Sequence, residues 1–206
     1  LEALDDGVAT WGPETSEVMS YQVQRLSRLA ADIDDVSSAE EGRLSLQVGD
    51  VELGRFFLTV AENSRARFED KGVDLSVSAP TQARASVRGD EQRLAQVFAN
   101  LLDNALRHTG TGGRVELVAT LQGPEAVVQV SDDGDGIPPE QLPHIFERFY
   151  RGDTARDRKG RGSGVGLTIS RAIVEIHGGS LSASSPGPGL GSTFEVRLPL
   201  QGRNPR

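Results

Sequence analysis

The sequence predicts an α+β fold, a two-layer α/β sandwich with helices on one face of a mainly antiparallel sheet. Apolar residues recur at helical spacing in three stretches, 51–71, 97–105 and 165–177. Apolar and polar residues alternate in two later stretches that flank Gly123 and Pro124, which predicts a β-hairpin. Helices and strands in this mixed order, with hairpins, favour the sandwich.

Capping and turn residues set the bounds of the elements. The helix at 51–71 stops at Gly72, a suitable C-cap. Asp90 caps the helix that contains 97–105, with Arg93 at the position where a Glu would complete a capping box. The other predicted elements are strands at 73–78, 114–120 and 126–131, a helix from Pro138, a long loop at 151–163, a helix at 165–177 and strands at 180–184 and 192–198.

Composition and charge exclude several classes of protein. The 206 residues carry a net charge of −8, which argues against nucleic-acid binding, since that needs a basic face. The chain has no cysteine, which excludes disulfides and thiolate metal sites and fits a reducing cytosol. No apolar run approaches the roughly 18 residues that span a bilayer, and no signal-peptide core is present. We therefore expect a soluble, cytoplasmic chain.

A polar stretch at 37–49 marks a domain boundary. We expect residues 1–42 to be the C-terminal part of a helical hairpin, 43–50 a linker and 51–206 the main domain. The first residues resemble the end of a helix, so we expect the hairpin to begin upstream. In the second helix of this hairpin, apolar residues form a heptad seam. The seam fits a dimeric bundle and a helix packed on its own domain equally well. The seam consists of Met19, Val23, Leu26, Ala30 and Ile33.

One helix face carries a row of polar side chains. Asn100, Asn104 and Arg107 stand at positions i, i+4 and i+7, and His108 follows directly. Two amides, a cation and an imidazole suit the lining of a phosphate chain and its metal. Taken alone, a surface helix with an Asn-rich edge is the better interpretation. Three motifs downstream reverse this judgement.

Paired acids and two glycines follow a predicted strand. Asp132 ends the strand, so its carboxylate is fixed at the edge of the sheet. Gly134 and Gly136 allow a tight turn before Ile137 and let a flat ligand approach the backbone. This pattern predicts a purine pocket in which Asp132 accepts a hydrogen bond from an exocyclic amine. A calcium loop is excluded because Leu142 stands where a bidentate Glu is required, while a simple hairpin turn stays open as an alternative.

A glycine-rich stretch leads into the helix at 165–177. Glycines expose backbone N–H groups, which can face phosphates together with the helix N-terminus. The stretch is neither a Walker loop, since no Gly-Lys-Ser/Thr ends it, nor a Rossmann fingerprint, since no core strand precedes it. By itself a flexible linker explains it equally well. Its candidate phosphate-binding residues are Gly162, Ser163, Gly164, Val165, Gly166 and Leu167.

An aromatic stretch lies between the two glycine motifs. We interpret Phe146 and Phe149 as core residues that anchor the base of the loop at 151–163. The length of this loop is typical of a functional segment. Arg151 at its start is a candidate phosphate contact, because a guanidinium can pair bidentately with phosphate.

The order Asn-x-x-x-Asn, Asp-x-Gly-x-Gly, Phe-x-x-Phe, Gly-x-Gly-x-Gly resembles the N, G1, F and G2 boxes of bacterial two-component sensor histidine kinases. Each motif is weak alone, but four in this order over about 51–200 form a specific signal. The resemblance implies the Bergerat ATP-binding fold, shared with gyrase-type and chaperone ATPases. It implies ATP and Mg²⁺ as cofactors and transfer of the γ-phosphoryl group of ATP to a histidine.

The resemblance also implies roles for single residues. Asn104 would hold Mg²⁺ and Asn100 would lie beside it at the phosphates, both as catalytic residues. Asp132 would bind the adenine amine, and Thr193 would support it. The other nucleotide contacts implied by the resemblance are Arg107, His108, Gly134, Gly136, Ile137, Arg151, Gly162, Ser163, Gly164, Val165, Gly166 and Leu167.

One substitution separates phosphotransfer from hydrolysis. ATPases of this fold place a Glu general base one turn before the metal-binding Asn, and this chain has Asn100 there. An amide cannot take a proton from water. Transfer to a nucleophile supplied elsewhere is therefore favoured over hydrolysis.

The resemblance implies a longer parent protein. The family's phosphoacceptor motif, His-Glu-Leu-Arg-Thr-Pro, would lie upstream, and His108, His144 and His177 do not replace it. We therefore expect this chain to bind nucleotide without phosphorylating itself. The parent would be a membrane-anchored homodimer, joined through the hairpin, that passes phosphate to an aspartate of a response regulator, with this domain facing the cytoplasm. The alternatives are another protein kinase of the same fold and a non-catalytic nucleotide-sensing module.

Overall fold

The computed structural model describes residues 46–80, 85–150 and 164–201, together with Met19 and Val23, which are helical. The rest of the predicted hairpin, the start of the predicted linker and the loop at 151–163 lie outside the described residues. Within the described part of the chain, no helix is both long enough and apolar enough to cross a membrane.

The described residues between 49 and 199 contain seven strands and three helices. The strands are β1 (Gly49–Glu52), β2 (Asp74–Ser78), β3 (Ser86–Gly89), β4 (Arg114–Gln122), β5 (Glu125–Asp132), β6 (Ser180–Ser184) and β7 (Ser192–Pro199). The helices are α1 (Leu53–Lys71), α2 (Glu91–His108) and α3 (Gly166–Ile176). These bounds confirm the three periodic helices and the β4–β5 hairpin that the sequence predicts.

Five strands form the main sheet in the order β2-β4-β5-β7-β6. β2 runs parallel to β4, and all other neighbours in this sheet are antiparallel. Burial alternates along β4 and β7, so one face of the sheet is covered and the other is open. The predicted α+β sandwich is confirmed. The short antiparallel pair of β1 and β3 was not predicted. β1 includes Val51 and Glu52, which the sequence predicted to be the first two residues of α1.

The core lies between the covered sheet face and the helices, and α2 is its centre. Phe98 of α2 meets Phe56 and Phe57 of α1 edge to face, with ring centroids 5.9 and 4.9 Å apart. Burial of the apolar stripe fixes the rotation of α2 about its axis, and the Asn row is thereby held along the border of the core. The stripe consists of Leu94, Val97, Phe98, Leu101, Leu102 and Ala105.

Polar contacts hold both ends of α2. Asp90 Oδ1 accepts hydrogen bonds from the N–H groups of Gln92 and Arg93 at 3.0 and 3.1 Å, which confirms the predicted N-cap. At the other end, Lys71 Nζ donates to the carbonyl of Leu106 at 2.5 Å. These contacts fix the position of the helix along its axis.

The prediction of a helix from Pro138 is wrong. Residues 139–148 form successive turns. The hydrogen bonds here mostly join residues three apart, as from the Gln141 N–H to the Pro138 carbonyl at 2.9 Å and from the His144 N–H to the Gln141 carbonyl at 2.9 Å. Pro143 lies inside this stretch and has no N–H with which to continue a helical ladder.

Truncation of a core side chain of α2 tests this packing. Leu101 is 0% exposed, so Leu101→Ala should lower the free energy of unfolding by about 3 kcal/mol, because it leaves a cavity. Leu58 lies on the outer face of α1 and is 61% exposed, so Leu58→Ala should change it by less than about 0.5 kcal/mol. Urea unfolding followed by circular dichroism measures both values, and equal losses in the two variants would contradict the described core.

Candidate functional site

The Asn row of α2 faces the start of α3. Asn100 is half-buried, and its Nδ2 donates to the Gly166 carbonyl and to Ser170 Oγ, both at 3.4 Å. Asn104 is half-buried one turn further along α2, and its side chain has no hydrogen bond to another described residue. The first amide therefore joins two helices, and the second presents free donor and acceptor groups.

The C-terminal end of α2 is docked on the loop that follows β5. The His108 carbonyl accepts a hydrogen bond from the Asp135 N–H at 2.9 Å, and His108 Nδ1 lies 3.2 Å from Asp135 Oδ2. A Cβ on Gly134 would lie 2.3 Å from the His108 carbonyl oxygen, so only glycine fits this approach. Arg107 is exposed at the same end of the helix. The predicted site residues His108 and Gly134 are therefore adjacent.

Asp132 ends β5 and is held by two contacts. Its Oδ1 accepts a hydrogen bond from the Gly134 N–H at 3.0 Å, and its Oδ2 accepts one from Ser192 Oγ at 2.6 Å. Both donors fix the plane of the carboxylate at the end of the strand. The carboxylate is only partly buried, so it can still accept a further hydrogen bond from outside.

The hydroxyl that supports Asp132 belongs to Ser192 and not to Thr193, which corrects the expected role of Thr193. β5 and β7 pair with Asp132 opposite Ser192 and Ser131 opposite Thr193. Successive side chains of a strand point to opposite faces. Thr193 Oγ1 therefore lies 3.0 Å from Ser131 Oγ on the other face of the sheet. Strand alternation, applied to both strands together, could have identified Ser192.

A cleft of about 400 Å³ opens beside Asp132. It is lined on the opposite side by the loop between β6 and β7, including Leu190, which is 65% exposed, and Thr193 also reaches it. Ile137 lies at the end of the loop after β5 and packs partly against the core. Gly136 has a φ of +67°, and a Cβ there would lie 2.1 Å from a carbonyl oxygen of the β6–β7 loop, so this glycine is required.

The described end of the glycine-rich stretch lies beside Asn100. Gly164 has a φ of +70°, Val165 is buried, and Gly166 begins α3. A Cβ on Gly166 would lie 3.7 Å from the Asn100 amide. Leu167 is half-buried and packs against the core. No described side chain caps the N-terminus of α3, and backbone N–H groups at a helix N-terminus favour an anion. The expected contacts Arg151, Gly162 and Ser163 lie outside the described residues.

The two aromatic residues before the loop at 151–163 differ in environment. Phe146 packs edge to face on Phe194 of β7, with ring centroids 6.5 Å apart, and its carbonyl accepts from Thr168 Oγ1 at 3.0 Å. The prediction of a core anchor is confirmed for Phe146. It is wrong for Phe149, which is 64% exposed and has a φ of +60°. The Phe149 N–H donates to the Gly164 carbonyl at 2.9 Å, so its backbone closes the base of the loop while its ring faces outward.

A second polar cluster ties α2 to α3 and to the segment before β1. Asp90 is 6% exposed, and its Oδ2 accepts a hydrogen bond from the Gln47 N–H at 2.8 Å. His177, the C-cap of α3, accepts a hydrogen bond from the Asp90 N–H at Nε2 (2.9 Å), and its Nδ1 lies 2.7 Å from the Ile173 carbonyl. These partners assign the proton to Nδ1 and leave Nε2 as an acceptor.

The same cluster shifts the pKa of Asp90. Burial raises this pKa, but hydrogen bonds from the backbone N–H groups of Gln47, Arg93 and Gln92, together with the charge of Arg93, outweigh burial. The pKa of Asp90 therefore lies below its ordinary value.

The comparison with known sequences decides the family. The sequence profile described as "Histidine kinase-, DNA gyrase B-, and HSP90-like ATPase" matches residues 89–202, from the end of β3 past β7. The chain belongs to this family of ATPases. The matched range contains the Asn row, Asp132 and the glycine-rich stretch, as the four motifs predicted.

The relatives of this ATPase-family chain are sensor histidine kinases. The signal transduction histidine-protein kinase BaeS of Escherichia coli is 38% identical over 199 residues, 96% of this chain and 42% of BaeS. The solved structure of the mycobacterial sensor histidine kinase MprB is 31% identical with a TM-score of 0.64, over 74% of this chain and 98% of that one. The resemblance predicted from the sequence is therefore confirmed.

A third comparison concerns the fold. The structure of histidine kinase ThkA, solved in complex with the response regulator protein TrrA, has a TM-score of 0.68 at 23% identity and covers 92% of this chain and 53% of that one. The chain spans between 24% and 45% of the length of the first curated relatives that it matches.

The Asp90 cluster predicts a pH-dependent stability. At neutral pH, Asp90→Ala should lower the free energy of unfolding by about 1–2 kcal/mol, because the N-cap of α2 is lost. Since the native pKa is lowered, the stabilisation is fully present above the ordinary carboxyl pKa of about 4 and is lost as the pH falls through the native pKa.

Urea unfolding of wild type and Asp90→Ala from pH 7 to pH 3 measures this difference, which should narrow toward acid pH. Asp90→Asn is the matched control, because Asn is a good N-cap and should restore most of the stability at pH 7. A difference between wild type and Asp90→Ala that is constant over this range would contradict the assignment.

Proposed function

We propose that this chain is the catalytic domain of a two-component sensor histidine kinase, which binds Mg·ATP and transfers the γ-phosphoryl group to a histidine. The observation that carries the proposal is the carboxylate of Asp132, held at the end of β5 by Gly134 and Ser192 beside an open cleft. A carboxylate fixed in this way is an acceptor for the exocyclic amine of adenine.

The phosphates would lie between α2 and the N-terminus of α3. Asn100 contacts Gly166 at the start of α3, and the uncapped N–H groups there favour an anion. Arg107 and His108 at the end of α2 would add donors, as would the glycine-rich stretch from Gly162 to Leu167 and Arg151. These residues form the nucleotide site together with Gly136, Ile137 and Thr193.

The donor set fits Mg²⁺. The Asn104 side chain makes no hydrogen bond to a described residue, so its amide oxygen is available as a ligand. Magnesium is commonly held by one or two protein oxygens together with substrate phosphates. When bound, it neutralises charge on the phosphates. Asn104 is accordingly the proposed metal-binding residue.

Phosphotransfer is favoured over hydrolysis because the site lacks a base where hydrolysis needs one. Asn100 stands one turn before Asn104, and an amide cannot accept a proton from water. An imidazole nitrogen needs no such base, since its lone pair attacks the γ-phosphorus while ADP leaves. The acceptor histidine would lie on the helical hairpin whose C-terminal part is residues 1–42, joined by the linker at 43–50.

The proposed parent protein is a membrane-anchored homodimer that dimerises through the hairpin. Its phosphohistidine would pass the phosphoryl group to an aspartate of a response regulator. The relationship to BaeS and the complex of ThkA with TrrA support this partner.

Removal of the Asp132 carboxylate tests the nucleotide site. Asp132→Ala should weaken the binding of Mg·ATP and Mg·ADP by at least about tenfold, because the adenine amine loses its acceptor. Asp133→Ala is the matched control: it removes the same charge one residue away, where the carboxylate only caps the Arg114 N–H at 2.8 Å. Isothermal titration calorimetry measures both, and wild-type affinity in Asp132→Ala would show that the base binds elsewhere.

The proposed kinase reaction predicts that phosphorylation of the protein depends on the first helix of the hairpin, which would lie upstream of residue 1. After incubation with γ-labelled Mg·ATP, the 206-residue chain should carry no phosphohistidine, while a longer chain that restores the upstream helix should become labelled. Acid-labile label on the purified proteins reports both. Label on the short chain would contradict the proposed position of the acceptor, and nucleotide binding without label on the long chain would favour a sensing module.

A further inference from the structure

The loop at 185–191, between β6 and β7, lies directly against the loop that follows β5. The Gly189 N–H donates to the Asp135 carbonyl at 2.6 Å, and the Gly191 N–H donates to the Gly134 carbonyl at 3.2 Å. A Cβ on Gly191 would lie 1.9 Å from the Asp132 carbonyl oxygen. The two loops are therefore in direct backbone contact.

Ser185 is the side chain that joins the two loops. Its Oγ donates to the Gly191 carbonyl at 2.6 Å and accepts from the N–H groups of Ile137 at 3.0 Å and Gly187 at 3.2 Å. One donor and two acceptor positions are all that a hydroxyl has, so its hydrogen bonding is saturated. Ser185 therefore binds the end of the Asp132 loop and two positions of its own loop, Gly187 and Gly191, at once.

The hydroxyl acts on Asp132 through the peptide between Gly191 and Ser192. Ser185 fixes the Gly191 carbonyl, and the next residue, Ser192, donates to Asp132 Oδ2 at 2.6 Å. From the other side, Ser185 fixes the N–H of Ile137, which ends the loop that begins at Asp132. Ser185 thus holds the residue before Ser192 and the end of the loop that contains Gly134, the two residues that support the carboxylate.

We propose that Ser185 is a positioning residue for nucleobase recognition, which sets the direction of the Asp132 carboxylate and with it the preference for adenine over guanine. The proposal rests on the proposed function. Adenine presents an amine to a carboxylate, whereas guanine presents a carbonyl oxygen at the same ring position, which a carboxylate repels. Discrimination between the two bases therefore depends on how rigidly the Asp132 carboxylate is held in one orientation.

Calorimetric titration of Mg·ATP and Mg·GTP into wild type and Ser185→Ala tests this role. Ser185→Ala should weaken the binding of ATP about tenfold and that of GTP less than about twofold, so the preference for ATP falls. Ser182→Ala is the matched control, because Ser182 is exposed on β6, the strand that leads into the loop at 185–191, and lies away from the cleft. Ser185→Thr keeps the hydroxyl and should restore the preference.

Other outcomes separate this inference from the function on which it rests. Equal weakening of ATP and GTP, or an unchanged preference, would overturn the positioning role and leave the nucleotide site intact. No ATP binding by the folded wild-type chain would overturn the proposed function and this inference with it. If Ser185→Ala does not fold, Ser185→Cys, which keeps the shape with weaker hydrogen bonds, should show the same loss of preference.

Discussion

Burial of the apolar stripe of α2 is the constraint on which the site depends. Leu101 and Leu102 are 0% exposed, and this packing fixes how far the helix is rotated. Asn100 is thereby held against α3, and the carbonyl of His108 is placed to accept the hydrogen bond from the loop after β5. That loop in turn holds the loop at 185–191. The site is thus a series of contacts that starts from one hydrophobic interface.

Elements with local signals were predictable from the sequence, and elements that depend on distant partners were not. The periodic stretches and the caps Gly72 and Asp90 act within a few residues, so the three helices could be placed closely. β1 and β3 have four residues each and no clear alternation. Their pairing joins segments far apart in the sequence, and β3 is further held by the Gln201 N–H on the Ser86 carbonyl. Such strands are formed by tertiary contacts, which no local pattern records.

Within the candidate site, the sequence predicted candidate binding residues but not the residues that hold them in place. The four motifs predict that Asn100, Asp132 and Gly166 belong to one site. The structure places Asn100 on α2, Asp132 at the end of β5 and Gly166 at the start of α3. The support of Asp132 by Ser192 depends on the register of β5 and β7, which a single motif does not specify. Phe149 was predicted to be a core anchor, but the chain turns around Pro143 and reaches Phe149 with a φ of +60°, which leaves its ring exposed.

The position of β7 in the sheet has a consequence for synthesis of the chain. β7 is the last described strand in sequence, but it lies between β5 and β6, and within the described sheet β6 pairs with no other strand. A nascent chain therefore emerges from the ribosome with β6 unpaired and the edge of β5 open, until the final strand closes the gap. The edge of the sheet that carries Asp132 is completed last, so a prematurely terminated chain that retains every residue of α2 still lacks the cleft beside Asp132.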